Sequence, residues 1–288
     1  MRILLLGGSG QLGRELLRAL AHSPQAHQII APSHAELNLA DPETAAAAVR
    51  AAAPEAIVNC AAYNQVDAAE NAAAEAFAVN ALGPYYLARA ARAAGADLVQ
   101  IGTNYVFDGR AAAAYREDDP PRPLNVYGAS KLAAEQLIAL AWERHILVRT
   151  AGLYAAGGSR AKPDGGFVER ILAQAAAGAP LRVVADQRIS PTPAADLAPA
   201  VLSLLFERRY GCFHLTSGGD CSWHEFAAAV LEFAGLQARI EPIASAELEY
   251  AARRPANGVL ANTRAPELRL PHWREALSAY LQARNYAG

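Results

Sequence analysis

Three shortages in this 288-residue sequence each exclude a class of protein. Cysteine is scarce: Cys60, Cys212 and Cys221 are an odd number with no C-x-x-C spacing. We therefore expect reduced, mostly buried thiols rather than a disulfide framework or a metal site. Neither charge dominates, because the formal net charge is −2 and the basic residues are scattered. Nucleic acid and anionic membranes are consequently not expected as partners.

Long apolar runs are also missing. Stretches such as residues 45–49 and 72–81 are interrupted well short of the length that spans a bilayer. Near the amino terminus the apolar run Ile3–Leu6 stops at the glycine-rich segment that follows it, which is too early for the apolar region of a secretion signal. We therefore expect a cytoplasmic protein.

Apolar residues are nevertheless abundant and regularly spaced. Hydrophobic residues make up 53% and charged residues 19% of the chain, which excludes a disordered protein. Short apolar runs alternate with longer helical patterns, as in a parallel sheet with crossover helices. We predict strands at 2–6, 28–32, 56–60, 97–101 and 145–150, and helices at 11–21, 42–53, 72–94 and 130–144. The predicted fold class is α/β, a Rossmann-type doubly wound parallel sheet.

The alternation weakens after Tyr154, where residues 155–159 and 162–166 are rich in turn formers. We predict a dinucleotide-binding domain over residues 1–154. A smaller, mixed α/β substrate-binding domain is predicted over residues 155–288.

Part of the second domain is expected to cross back to the main sheet. Residues 181–185 and 212–215 are the candidate strands for this return. Ser222 and Glu225 have the spacing of a capping box, which predicts the start of a helix.

The segment Gly7–Gly13, directly after the first predicted strand, has the pattern G-x-x-G-x-x-G. At a turn from strand to helix this pattern lets backbone amides approach a pyrophosphate at the positive end of the helix. The alternative is a glycine-rich turn that only packs the strand closely against the helix. Its place at the start of an alternating chain favours a nucleotide site, with predicted contacts at Gly7, Gly10, Gln11, Leu12 and Gly13.

The residues after the second predicted strand bear on which nicotinamide cofactor is bound. NAD-specific sites place a carboxylate there to bind the ribose 2′-hydroxyl. Here no acidic residue follows the strand directly, and Ser33 and His34 are compatible with a 2′-phosphate. NADPH is therefore predicted, with NADH as the alternative. His34 is equally well explained as a solvent-facing loop residue.

Tyr127 and Lys131 lie four residues apart at the start of a predicted helix, so they share one face. An ammonium about 4 Å from a phenolate contributes roughly 4 kcal/mol at an effective dielectric near 20. This corresponds to about three pH units, which would bring the pKa of the phenol towards neutrality. Tyr127 is thus predicted to protonate a ketone oxygen during reduction, while Lys131 also holds the ribose hydroxyls. A solvated helix face is the alternative explanation.

Thr103 follows the strand predicted at 97–101, at the edge where open α/β sheets bind ligands. A hydroxyl at this position can donate to the substrate carbonyl and polarise it. The alternative role of Thr103 is to stabilise a turn.

With these motifs in place, the chain resembles the extended short-chain dehydrogenases and, within them, the dTDP-4-dehydrorhamnose reductases. The resemblance covers nearly the whole chain. The most similar segments are residues 57–63, 66–70, 105–109, 115–120, 123–128, 186–192 and 253–257. It implies NAD(P)H-dependent reduction of the 4-keto group of dTDP-4-dehydro-L-rhamnose, with Thr103, Tyr127 and Lys131 as the catalytic residues.

The same resemblance implies further contacts. By position, the cofactor is expected to contact Asn38, Leu39, Ala61, Ala62 and Tyr63, besides Ser33, His34, Tyr127 and Lys131. Substrate-binding residues are expected at Thr103, Asn104, Tyr105, Val106, Phe107 and Arg254. A guanidinium suits the nucleotide diphosphate, so Arg254 is expected to face it.

Four departures from the family's pattern lie on the substrate side. The Asp that commonly follows the catalytic Thr is Asn104, and a Lys that commonly follows Asp67 is Ala68. The aromatic residue of the family's Arg-Thr-Ser-Trp segment is Gly152, and the stretch before Arg253 is short. Two alternatives therefore stay open: a reductase of another nucleotide-activated keto-sugar, and a catalytically silent, cofactor-binding regulatory subunit. The presence of all three catalytic residues argues against the second.

The expected partner is a small-molecule nucleotide-sugar substrate, and the expected assembly is a monomer or a homodimer. Some relatives form metal-bridged dimers, and Glu15 is a possible ligand. Because no partner carboxylate is evident, no metal is predicted.

Overall fold

The computed structural model describes residues 1–157 and 165–286. The strands, in chain order, are β1 (Arg2–Leu6), β2 (Gln28–Ile30), β3 (Ala56–Asn59), β4 (Asp97–Thr103), β5 (His145–Thr150), β6 (Leu153–Tyr154), β7 (Leu181–Val184), β8 (Arg188–Ile189), β9 (Thr192–Pro193), β10 (Gly211–His214), β11 (Ser217–Gly218), β12 (Cys221–Ser222), β13 (Ile240–Ile243) and β14 (Leu270–His272). The helices are α1 (Gln11–Ala21), α2 (Pro42–Ala52), α3 (Val66–Asn71), α4 (Ala73–Phe77), α5 (Gly83–Ala94), α6 (Val126–Ala141), α7 (Phe167–Ala176), α8 (Ala194–Phe206), α9 (Trp223–Phe233) and α10 (Trp273–Gln282). Of the turn-rich segments predicted at 155–159 and 162–166, residues 158–164 lie outside the described part of the chain.

Six parallel strands form the main sheet in the order β2-β1-β3-β4-β5-β10. The strand order reverses between β1 and β3, and open α/β sheets of this kind bind ligands at the carboxyl ends of the strands beside such a reversal. The predicted doubly wound parallel sheet is therefore confirmed. Within the described residues no helix has the length and the apolar character that crossing a membrane requires.

Both faces of the sheet are covered because its strands are apolar at successive positions. In β1, Ile3 and Leu5 belong to a core cluster with α1 and α8. Leu4 and Leu6 belong to a second cluster, which contains residues of α2, α5 and α6. A strand that buries both of its faces is typical of a parallel sheet between two helix layers.

The carboxyl-terminal part contributes to both regions of the molecule. β10 joins the main sheet beside β5, as expected for residues 212–215. The strand expected at 181–185 forms as β7, but it pairs with β13, so its predicted return to the main sheet is wrong. The physical reason is packing: Leu181 and Val183 are buried with residues of α7, α9 and α10 in a third cluster.

Two helix predictions are corrected. The helix predicted at 72–94 is divided into α4, a π-helical turn at Ala78–Leu82 and α5, and α5 begins at the Gly83–Pro84 pair. The helix predicted from residue 130 begins at Val126, because the Asn125 side chain caps it by accepting a hydrogen bond from Gly128 N at 2.7 Å.

The predicted capping box at Ser222 is confirmed. The Ser222 hydroxyl accepts from the Glu225 amide at 3.0 Å, and the Glu225 carboxylate accepts from the Ser222 amide at 2.6 Å. These bonds satisfy two amides at the start of α9.

Candidate active site

A cleft of about 440 Å³ lies at the carboxyl ends of β1 and β3, where the strand order reverses. Its lining brings together the cofactor residues predicted outside α6, namely Gly7, Gly10, Gln11, Leu12, Gly13, Ser33, His34, Asn38, Leu39, Ala61, Ala62 and Tyr63. It also includes residues that the sequence analysis missed, among them Cys60, Asn64, Gln65, Glu75, Val79 and Leu153. Asn64 and Gln65 were detectable in principle, because they continue the loop that follows β3.

The glycine loop has a shape that side chains would prevent. Gly7 has φ +76°, and a Cβ there would lie 2.7 Å from the backbone nitrogen of Ala61. A Cβ on Gly13 would collide with the carbonyl oxygen of Gly7. In the described structure α1 starts from Gly10 with neither a capping side chain nor an acidic residue in its first turn. Its amino end is therefore suited to bind an anion such as a pyrophosphate.

Ser33 and His34 line the same cleft, beyond the end of β2. The Ser33 amide donates to the Glu36 carboxylate at 2.7 Å, and hydrogen bonds from Ser33 hold the pKa of Glu36 below its usual value. The nearest acidic residue after β2 is thus engaged within its own turn.

Thr103, Tyr127 and Lys131 meet beside the carboxyl end of β4. Thr103 is the last residue of that strand, and its side chain is close enough to the Tyr127 phenol to act on its pKa. Tyr127 lies in the first turn of α6, with Lys131 one turn later. The Lys131 Nζ atom donates to the carbonyl oxygen of Ile101 at 2.6 Å, and Ile101 lines the cleft. The three predicted catalytic residues are therefore adjacent.

The electrostatics of this group differ from the prediction. Burial raises the pKa of Tyr127 to about 12, even though the Thr103 side chain acts to lower it. The expectation that Lys131 brings the phenol towards neutrality is therefore wrong for this structure. The physical reason is that a buried phenolate is poorly solvated, while the Lys131 ammonium is bound to Ile101. Burial lowers the pKa of Lys131 itself to about 8, against the raising effect of Glu135.

The residues predicted to bind substrate fall into two groups. Asn104 is buried and donates through Nδ2 to the Gly258 carbonyl at 3.2 Å, which joins the end of β4 to the carboxyl-terminal part. The ring of Tyr105 contacts that of Tyr127 edge-on, with centroids 5.7 Å apart. These two residues and Thr103 lie together at the site.

Val106 and Phe107 lie elsewhere. Both side chains are fully buried in an apolar cluster with Tyr115, Ala151 and Leu260, and the Phe107 ring stacks on Tyr115 at 4.2 Å. The structure therefore gives these two side chains a packing role and does not bring them to the cleft, because their apolar surface is already satisfied in the core.

Arg254 lies near Tyr105 but already has a partner. Its guanidinium donates to both carboxylate oxygens of Asp67, at 3.1 and 2.5 Å, and its Cζ lies 3.6 Å from the centroid of the Tyr250 ring. Binding of a diphosphate by Arg254, as predicted, would therefore compete with Asp67.

The region of the missing aromatic residue is shaped by Gly152. This residue has φ +55°, and a Cβ there would lie 3.0 Å from the Cα of Pro191. A larger side chain therefore does not fit this backbone without a local shift.

The candidate metal ligand Glu15 is paired with Arg18 at 2.9 Å. Among residues 1–157 and 165–286, no group of three or more His, Cys, Asp or Glu side chains is arranged to hold a metal ion.

Residues 1–285 match the model of a protein family described as RmlD substrate binding domain. The chain is 39% identical over 288 residues to the spore coat polysaccharide biosynthesis protein SpsK of Bacillus subtilis, with 99% of each chain covered. It is 38% identical over 299 residues to the dTDP-4-dehydrorhamnose reductase of Burkholderia thailandensis, with 96% of this chain and 97% of the relative covered. The crystal structure of dTDP-4-dehydrorhamnose reductase from Bacillus anthracis in complex with NADP superposes with a TM-score of 0.92 at 33% identity, covering 98% of this chain and 99% of that one.

Proposed function

We infer the function from one premise, which is that this chain belongs to the RmlD substrate binding domain family. The chain is an oxidoreductase that reduces the 4-keto group of dTDP-4-dehydro-L-rhamnose to a hydroxyl, giving dTDP-L-rhamnose, with NADPH as the reductant. The observation that carries this conclusion is the meeting of Thr103, Tyr127 and Lys131 at the end of β4, beside a cleft lined by a glycine loop.

The residues of the cleft fit a nicotinamide dinucleotide. The uncapped start of α1 and the crowded glycines offer backbone amides to the pyrophosphate. We assign Ser33 and His34, which line the cleft, to the adenosine ribose and its 2′-phosphate, and Lys131, which is bound to the cleft residue Ile101, to the nicotinamide ribose. When bound, NADPH supplies the hydride that reduces the ketone carbon.

The protein's own residues provide the proton and orient the ketone. Thr103 donates a hydrogen bond to the carbonyl oxygen, and Tyr127 transfers its phenolic proton to that oxygen as it becomes an alcohol. With a pKa of about 12, the Tyr127 phenol is fully protonated at neutral pH, as an acid must be before the reaction. The phenolate that results is stabilised by the nearby Lys131 ammonium and regains its proton from solvent.

NADPH oxidation with dTDP-4-dehydro-L-rhamnose generated in situ is the direct test. We expect turnover that is lost in Tyr127→Phe, with NADPH binding retained. Binding of NADPH without turnover of any dTDP-linked keto-sugar would instead support a regulatory, catalytically silent subunit.

Reduction of another nucleotide-activated keto-sugar is a second candidate, favoured by Gly152. Because Gly152 stands where the family commonly has an aromatic residue, we expect the contacts to the sugar to differ on that side. A comparison of kcat/KM across dTDP-linked 4-keto-sugars separates the candidates. A preference of more than about tenfold for a sugar other than the rhamnose precursor, roughly 1.4 kcal/mol, supports the second.

Several finer assignments belong to the same proposal. We place the protein in the cytoplasm as a monomer or homodimer without an obligatory metal, and assign residues 1–154 to cofactor binding and 155–288 mainly to substrate binding. Arg254 is proposed to exchange Asp67 for the substrate diphosphate.

A further inference from the structure

Glu135 is a buried acidic residue that the chemistry above does not use. Tyr127, Lys131 and Glu135 follow one another at four-residue spacing, so they lie along one face of α6. Glu135 is 8% exposed and Lys131 is 3% exposed. Because a carboxylate is costly to bury, its presence on the catalytic face calls for a specific partner or role.

The Glu135 carboxylate is held from the neighbouring strand. Arg149 of β5 donates to it through Nη2 at 2.6 Å and through Nε at 3.0 Å, which is a two-pronged ion pair. Arg149 is fixed in turn by the Glu117 carbonyl at 3.4 Å and the His214 imidazole at 3.3 Å. The carboxylate therefore has a defined position, set by β5 and not by α6 alone.

Lys131 and Glu135 converge on consecutive residues of β4. The Lys131 Nζ atom donates to the Ile101 carbonyl at 2.6 Å. The next residue is Gly102, where a Cβ would lie 3.4 Å from Glu135 Oε1 and 3.2 Å from Arg149 Cγ. The ammonium and the carboxylate thus meet the strand directly before its catalytic residue, Thr103.

We propose that Glu135, held in place by Arg149, is a positioning residue that keeps the Lys131 ammonium charged and directed towards the cofactor. The role rests on the proposed function, because it assigns Lys131 to the nicotinamide ribose and to the phenolate. Glu135 contacts neither substrate nor cofactor and acts through Lys131.

The other titratable groups around Lys131 do not supply a negative charge that would keep its ammonium protonated. Burial raises the pKa of Cys60 to about 12 and that of Tyr127 to about 12, so both are neutral at physiological pH. Burial alone lowers the pKa of Lys131, and Glu135 is the main group that opposes this effect. Without Glu135 a substantial fraction of the amine would be deprotonated near neutrality, and its stabilisation of an anionic phenolate would weaken.

The test measures the protonation of Lys131 directly. The sequence contains only two lysines, Lys131 and Lys162, so isotope-labelled lysine in a Lys162→Arg background leaves one side chain to titrate by NMR. In the cofactor-free protein we expect Glu135→Gln to lower the pKa of Lys131 by about one pH unit, a tenfold change. Glu135→Asp keeps the charge and should restore most of the wild-type value.

The direction of the change separates electrostatics from loosened packing. A variant that merely admits water would raise the pKa of Lys131 towards its usual value, because burial is what lowers it. An unchanged or raised pKa in Glu135→Gln would therefore overturn the proposal.

A matched control lies at the other end of β4. The buried carboxylate of Asp97 pairs with the partly exposed Arg144 at 2.5 Å but lies far from Lys131 along the strand. Asp97→Asn should leave the Lys131 titration unchanged. If Glu135→Gln does not fold, the double variant Glu135→Met with Arg149→Leu removes both charges together. A smaller lowering of the Lys131 pKa is expected there, because the Arg149 charge is removed together with the Glu135 charge, and its absence would contradict the proposal.

The titration needs no substrate, so it can fail independently of the proposed function. Lys131 titrating as expected in a protein that reduces no dTDP-linked sugar would leave the role of Glu135 intact and remove the proposed activity. Reduction of the sugar with an unchanged Lys131 titration would support the proposed activity and contradict the role of Glu135. NADPH affinity measured by fluorescence against pH adds a second readout, since Glu135→Gln should lose affinity at lower pH than the wild type.

Discussion

Strand β4 has a buried carboxylate near each of its ends, and each is paired with an arginine. Near the amino end, Asp97 accepts from Arg144 Nε at 2.8 Å and from the Tyr210 hydroxyl at 2.7 Å. Near the carboxyl end, Glu135 accepts from Arg149 at 2.6 Å. The side chain of Arg144 is 31% exposed and that of Arg149 is 6% exposed, so only the first pair has access to water.

The comparison shows that the position of a carboxylate–arginine pair along the sheet determines whether it can act on the site. All strands of the parallel sheet run in one direction, so ligand sites gather at their carboxyl ends. The Asp97 pair joins β4 to the segment before β5, at the amino ends of the strands and therefore at the opposite edge of the sheet from the cleft. The Glu135 pair lies one helical turn from Lys131 and next to Gly102, inside the proposed catalytic group.

The largest expected effect is a difference in kcat between variants of two tyrosines, one near each end of β4. Tyr127→Phe removes the proposed proton donor and should lower kcat by about a hundredfold to ten-thousandfold, with the Kd for NADPH nearly unchanged. Tyr210→Phe removes the hydrogen bonds that its hydroxyl makes with Asp97 and Arg144, away from the cleft, and should leave kcat as it is. Steady-state NADPH oxidation compares the two, and similar losses in both would erase the distinction between the ends of β4.

The second-largest expected effect is a difference in the free energy of unfolding between variants of the two ion pairs. Glu135→Gln leaves the Arg149 charge buried, with an expected loss of about 3 kcal/mol. Asp97→Asn should cost less, because the partly exposed Arg144 can turn to solvent. Urea denaturation at neutral pH measures both values, and a larger loss in Asp97→Asn would contradict this ranking.

Acid should lower the stability of the protein through His214, which contacts Arg149 of the carboxyl-end pair. Burial is the main cause that lowers the pKa of His214 to about 4, from an ordinary value of 6.5. Between these pH values the unfolded chain binds more protons than the folded one. The contribution of neutral His214 to the free energy of unfolding is therefore complete above pH 6.5 and is lost as the pH falls towards 4. The loss amounts to at most about 3 kcal/mol.

The measurement is urea denaturation at pH 7 and pH 5. We expect His214→Gln to reduce the difference in stability between these conditions. His145→Gln, at the amino end of β5, is the control and should leave the difference as in the wild type. An unchanged difference in His214→Gln would show that other groups govern the acid response.

The smallest effect is expected from adding one methyl group at Gly102. A Cβ there presses on Arg149 Cγ at 3.2 Å, so Gly102→Ala should cost about 1 kcal/mol and lower kcat by a few-fold by displacing the pair. Gly95→Ala, before the amino end of β4, is the control. Gly95 has φ +66° with no other atom within 4 Å of the added Cβ, so strain there should lower stability without lowering kcat.

The cofactor side of the site was predictable because its signals are local. The pattern Gly7–Gly13 specifies a tight turn between β1 and α1. The backbone of this turn leaves no room for side chains at Gly7 and Gly13. The spacing of Tyr127 and Lys131 puts them on one face of any helix that contains both. Neither inference depends on a distant part of the chain.

The substrate side was less predictable because its contacts are long-range. Arg254 is bound to Asp67, 187 residues away, and Asn104 to Gly258, 154 residues away. Val106 and Phe107 follow Thr103 closely in sequence, but their side chains pack in an apolar cluster. No local periodicity distinguishes a residue that faces a ligand from one that is buried beside it.

The sequence by itself determined the doubly wound sheet, the edge at which the cleft lies and the three side chains that meet there. These follow from apolar periodicity, glycine geometry and helical spacing, which act over a few residues. Only the tertiary structure decided the protonation behaviour of Tyr127 and Lys131, the return of β10 but not β7 to the main sheet, and the pairing of Glu135 with Arg149 next to Gly102. Burial and Coulomb interactions depend on which distant segments are brought together, and that is settled when the whole core packs.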